Sequence, residues 1–135
     1  MSTSLKMSRR AFSAGAASIA LSSLGAGRAG AAKDFTIGVV NPLTGFGADL
    51  GICAQQALEV VVEELNKAGG INGSQIKFVF RDDESNPQKG VAAVQELLQR
   101  HNVDVIVGAN LTNIAVAVAP IVNQAKVPFI LFGTG

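Results

Sequence analysis

The chain has a single cysteine, Cys53, and a single histidine, His101, among its 135 residues. One cysteine has no partner for a disulfide within the chain, so an oxidising compartment would leave it as it is. The plain expectation for Cys53 is a small buried residue on a helix. No nucleophile or acid pair is spaced to use the one histidine, which argues against a catalytic role for it. His101 is expected instead at the carboxyl end of a helix, where a polar ring can meet the last carbonyls. An excess of one charge is missing too. Lysine and arginine number 11 against 10 acids, with no basic stripe of the kind that binds nucleic acid or an anionic membrane. With 48% hydrophobic and 16% charged residues, the chain reads as globular, with room for one domain.

The opening segment reads as an address. "MSRRAFSAGAASIALSSLGAGRAGAA" has a basic start, a mildly apolar Ala/Ser/Gly centre and a small-residue exit, the layout of an export signal. Within it "SRRAF" resembles the twin-arginine signal, whose arginine pair is read by a translocase for folded proteins. The apolar centre is too short and too rich in Ser and Gly to stay in a bilayer as an anchor. The small-residue exit predicts cleavage after Ala31 or Ala32, and no cysteine follows closely enough for a lipid anchor. Cleavage removes Lys6, Arg9, Arg10 and Arg28 and no acid, so seven basic residues face ten acidic ones and the net charge becomes −3. Residues 1–32 are therefore assigned to a signal peptide and residues 33–135 to the folded part.

That part alternates between two periods. "FTIGVV", "QIKFVF", "VDVIVG" and "VPFILF" are short apolar runs of strand type, with Ile76, Phe78 and Phe80 sharing one face. Between them lie helical patterns. The first carries Ile52, Leu58, Val61, Val62 and Leu65 on its apolar stripe, with Asp49 as the expected cap. The second opens on Asn86 as N-cap and Pro87 as first helical residue, and its stripe is Val91, Val94, Leu97 and Leu98. The third spans about Thr112 to Gln124, and Pro120 should kink or divide it. The order βαβαβαβ calls for an α/β fold with a parallel sheet, right-handed crossovers and a site at the carboxyl ends of the strands. Ending at "FGTG", the chain is expected to be a piece of a larger fold, with "VPFILF" as an uncovered edge.

Four stretches bear on function. Gly45, Gly47 and Gly51 imitate a dinucleotide-binding fingerprint. Four residues nevertheless separate the strand from the first glycine, and the expected ribose-binding acid is displaced. "RDDES" could hold a hard metal, but acids just before a helix also suit its positive end, and the structural reading is preferred. "GANLTN" puts a Thr/Asn helix start directly after a strand. Backbone N–H groups there, beside a hydroxyl, can cradle a carboxylate, or Thr112 or Asn113 can simply cap the helix. "GTG" adds a second open-backbone loop on the same sheet edge.

Taken in order, "FTIGVVNPLTGFGADLG", "NKAGGINGSQIKFVFRDDESNPQKGVAAVQELL", "VDVIVGANLTNIAVAVAPIV" and "VPFILFGTG" resemble the branched-chain amino acid type of periplasmic substrate-binding proteins of ABC transporters. The resemblance runs from about Phe35 to the last residue. It implies part of the first lobe of a two-lobed type I receptor, not an enzyme. Such a receptor captures an amino acid or related small carboxylate or amide for a membrane permease, with no cofactor, no metal and no nucleic-acid partner, in the periplasm. It implies Thr112, with Asn113 beside it, at the ligand carboxylate, and Gly133, Thr134 and Gly135 in the loop that meets the carboxylate and amino group. Leu50 falls where branched-chain binders commonly carry an aromatic residue on the pocket rim. The alternative is an exported Rossmann-type dinucleotide-binding oxidoreductase.

Overall fold

A computed structural model describes residues 33–133. The signal assigned to residues 1–32, and the site residues Thr134 and Gly135, lie outside the described residues. The chain runs β1 (Phe35–Asn41), α1 (Ala48–Lys67), β2 (Ile76–Asp82), α2 (Pro87–Arg100), β3 (Val105–Gly108), α3 (Thr112–Ala125) and β4 (Phe129–Leu131). The four strands form one parallel sheet in the order β2-β1-β3-β4. This is the alternating α/β architecture that the two hydrophobic periods predict.

Alternation along the central strands divides the apolar side chains between two faces. Val40 and Ile106 join Val94 and Leu97 of α2 and Ile114, Val118 and Val122 of α3 in the larger cluster. Val39, Val105 and Val107 form the smaller one, with Phe78, Phe80 and Leu58 of α1 packed against it. The predicted α2 stripe is thereby borne out, with Val94 and Leu97 buried and Val91 and Leu98 half-buried.

The α1 stripe is corrected. Leu58 and Val62 are half-buried, whereas Ile52, Val61 and Leu65 are exposed. Among the described residues α1 has no helix beside it, while α2 and α3 cover each other's flanks. The same geometry leaves Cys53 exposed rather than buried. Helix ends also differ from expectation. Asp49 does not cap α1: Gly47 stands at the N-cap with no side-chain bond, and Asp49 lies in the first turn, where its charge suits the helix's positive end. Pro120 sits inside α3 without dividing it. Asn86 does cap α2, its side chain accepting from Gln88 N–H at 2.9 Å and Lys89 N–H at 3.2 Å.

His101 does follow α2, yet its ring meets Arg81 rather than the last carbonyls. Arg81 Nη2 lies 2.6 Å from His101 Nε2 and 2.9 Å from Glu96 Oε1. The Arg81 hydrogen bond holds the Glu96 carboxyl below its usual range, against the opposing effect of burial. At the end of α1, Asn66 serves as a side-chain substitute for a strand neighbour. Its Oδ1 accepts from Ile76 N–H at 2.8 Å and its Nδ2 donates to Ile76 C=O at 2.9 Å. Among the described residues β4 pairs with β3 alone, and Ile130 and Leu131 are exposed. No helix of the described residues is long and apolar enough to cross a membrane.

Candidate functional site

In an open parallel sheet, a crevice forms where adjacent strands send their connections to opposite faces. β1 leads into α1 on one face and its neighbour β3 leads into α3 on the other. The switch point therefore lies between Asn41 and Gly108, at the carboxyl edge.

The loop leaving β1 is pinned by the turn that leaves β2. Asp82 Oδ1 accepts from the N–H groups of Leu43 at 2.8 Å, Thr44 at 3.2 Å and Glu84 at 2.8 Å. Its Oδ2 accepts from the Thr44 hydroxyl at 2.7 Å. Burial works to raise the Asp82 carboxyl, but these bonds together hold it below the usual range. Ser85 adds two ties, its Oγ accepting from Gly47 N–H at 3.0 Å and donating to Thr44 C=O at 3.2 Å. "RDDES" thus works as a brace. No group of His, Cys, Asp and Glu able to hold a metal occurs among the described residues.

The fingerprint glycines face their own chain. A Cβ on Gly51 would run into the Pro42 carbonyl oxygen, and one on Gly45 would lie 2.7 Å from both the Glu84 carbonyl and Ser85 Oγ. Gly45 also sits at φ +82°. Close packing on the chain itself accounts for Gly45 and Gly51 without a pyrophosphate.

α3 begins with Leu111 as N-cap and no side-chain capping bond, so neither Thr112 nor Asn113 caps it. The turn closes one residue earlier, the Leu111 carbonyl accepting from the N–H groups of Ile114 and Ala115 at 3.0 Å each. Asn113 Oδ1 instead accepts from Ile114 N–H at 3.0 Å. Thr112 and Asn113 are both exposed in the first turn of α3, at the end of the helix whose dipole favours an anion. Leu50 is exposed in the first turn of α1, and Gly133 is exposed just past β4. All four lie on the carboxyl edge.

Three further residues of this edge were not legible in the sequence. Asn41, Asp83 and Asn110 are the buried polar or charged side chains of the described residues, and they stand at the ends of β1, β2 and β3. Asn41 is 1% exposed, and neither polar atom of its amide has a protein partner. A Cβ on Gly108 would lie 2.6 Å from Asn41 Oδ1, so the amide reaches across to the end of β3. A polar residue closing an apolar strand was the available signal. Asp83 accepts from Ser85 N–H at 2.9 Å through Oδ1, and its Oδ2 is buried without a partner. Burial pushes its carboxyl up to about 6, with the Ser85 bond opposing and the Asp82 charge adding.

A parallel sheet with a braced loop and an open helix start at its switch point defines a binding fold, and comparison places it. Residues 34–135 match the periplasmic binding protein family, and the chain belongs to that family, in its branched-chain amino acid type. It is 37% identical to the Leu/Ile/Val-binding protein homolog 3 of Brucella melitensis over 91 residues, 67% of this chain and 24% of that one. It is 31% identical to an amino acid binding protein of Pseudomonas aeruginosa over 121 residues, 90% of this chain and 32% of that one. Among solved structures it resembles the branched-chain amino acid transporter substrate-binding protein LivJ of Streptococcus pneumoniae, in complex with isoleucine. The TM-score is 0.72 at 28% identity, covering 76% of this chain and 30% of that one. A solute-binding protein of Rhodopseudomonas palustris, in complex with 3,4-dihydroxy benzoic acid, gives 0.70 at 31% identity, covering 76% and 28%. The chain thus spans 24% and 32% of the length of the two curated relatives. The family consists of substrate-binding receptors, which corrects the dinucleotide alternative, and membership implies an extracytoplasmic location.

Proposed function

We propose that residues 33–135 form part of the first lobe of a two-lobed receptor, which captures an amino acid or a similar small carboxylate or amide and delivers it to an ABC transporter permease. The observation that carries this reading is the convergence, at one switch point, of the braced loop after β1 and the start of α3 in a chain of this family. The ligands named for the two solved relatives, isoleucine and 3,4-dihydroxy benzoic acid, both carry a carboxylate. Thr112 and Asn113 would receive that group, with Gly133, Thr134 and Gly135 on its other side and Leu50 on the rim. The chain performs no reaction in this reading and needs no cofactor. Residues 1–32 would direct export through the twin-arginine route to the periplasm and be cut after Ala31 or Ala32.

Calorimetry on the complete receptor tests the site. Thr112→Ala should weaken binding by one to two decades, since a hydrogen bond to a charged group is worth roughly 1.5–3 kcal/mol. Unchanged affinity in a folded variant would remove Thr112 from the site.

A further inference from the structure

Gly90 is the fourth residue of α2, and it is buried. Its backbone is not in the left-handed region that calls for glycine, and alanine would suit the helix better, since glycine loses more freedom on folding. What excludes a side chain is space. A Cβ on Gly90 would lie 2.7 Å from Ile114 Cγ2, against 3.6 Å from Asp83 Cβ and 3.7 Å from Val118 Cγ1. The last two are ordinary contact distances, so of these three neighbours Ile114 alone would have to give way.

Ile114 has little freedom to do so by itself. It is 0% exposed, and a methyl carried directly on Cβ follows the backbone, because a β-branched side chain in a helix has one strongly preferred χ1. The α2 side of the contact is tied down. Asn86 caps the helix and its N–H donates to Asp83 C=O at 2.8 Å, while Gly90 N–H donates to Asn86 C=O at 2.9 Å. The first turn of α3 has no side-chain cap, so it is the part that would move. Ile114 stands in that turn, two residues after Thr112. We propose that Gly90 is a positioning residue for the ligand site. The bare backbone of α2 seats Ile114, and so determines where Thr112 and Asn113 stand at the carboxyl edge. This rests on the receptor reading above, in which those two residues receive the ligand carboxylate.

Two measurements on the complete receptor test this, in wild type, Gly90→Ala, Ile114→Leu and the double variant. One is calorimetry with isoleucine and 3,4-dihydroxy benzoic acid, the ligands of the two solved relatives. The other is amide hydrogen exchange, which needs no ligand. Leucine keeps the carbon count of isoleucine but has no methyl on Cβ, so it makes room for the new side chain. Gly90→Ala should weaken the probe that wild type binds by about tenfold, within the range that a hydrogen bond to a carboxylate is worth. It should also speed exchange at Ile114 and Ala115, whose N–H groups close the turn on Leu111 C=O. In the Ile114→Leu background the same change should do neither. Unchanged exchange in Gly90→Ala, or equal effects in both backgrounds, overturns the proposal, and where neither probe binds the exchange cycle decides alone. Unchanged affinity in Gly90→Ala beside a weakened Thr112→Ala overturns the ligand-site role and leaves the receptor reading intact. Unchanged affinity in Thr112→Ala overturns that reading of the site and the role built on it.

Discussion

Asp82 holds Thr44 by backbone and side chain at once, Oδ1 taking its N–H at 3.2 Å and Oδ2 its hydroxyl at 2.7 Å. The pair spans 38 residues of sequence, so the end of β2 determines the shape of the loop that leaves β1. In the receptor proposed above, affinity would gain from walls ordered before the ligand arrives, and this contact orders the loop proposed as one of them.

Asp82→Ala should therefore free the loop between Pro42 and Gly47 while the sheet persists. Hydrogen exchange would show it as loss of protection at Leu43, Thr44 and Gly47. Because its folded carboxyl is held low, the stabilisation from Asp82 is present above the unfolded value and is lost as pH falls through the folded one. Protection of the loop that persists in the variant would assign its order to Ser85 alone.

Asp83 has the opposite sign. Its folded carboxyl is raised from 3.8 to about 6, so its contribution is full below the unfolded value, declines as pH rises between the two, and is level above. Asp83→Asn keeps an oxygen for Ser85 N–H and removes the buried charge. Urea melts should show the variant more stable than wild type at pH 7, by on the order of 2 kcal/mol, with the difference shrinking toward pH 4. A variant less stable at pH 7 would mean that the native carboxylate is paired.

Gly51→Ala places a methyl group on the Pro42 carbonyl, a backbone atom that cannot swing aside. Overpacking against backbone should cost about 3 kcal/mol or more, read as a lowered thermal midpoint. An unchanged midpoint would show that α1 can lift off the loop.

Asn66→Ala strips both side-chain bonds from the backbone of Ile76, which is itself 4% exposed. Leaving a buried donor and acceptor unmet should cost roughly 2–4 kcal/mol in denaturant unfolding. Asn66→Asp should recover part of that at most, since it can accept from the N–H but not donate to the carbonyl. Full recovery would overturn the two-bond account.

The order of elements was legible because hydrophobic period is a local property. Strand runs such as "FTIGVV" and the Asn86–Pro87 helix start sit where their residues place them, and the segments from Phe35 onward carry the family pattern. What the sequence could not decide depends on which strand lies beside which. The order β2-β1-β3-β4 brings the turn after β2 onto the loop after β1, and so gives Asp82, Ser85 and Gly45 their partners. It also buries Asn41 and Asp83 at adjacent strand ends, where position in the sheet outweighs their polar nature. Amphipathic spacing alone misjudged α1, including Cys53, because burial needs a neighbour on each flank and among the described residues α1 has the sheet alone. Periodicity along a chain names the face a residue occupies; only packing decides what, if anything, covers it.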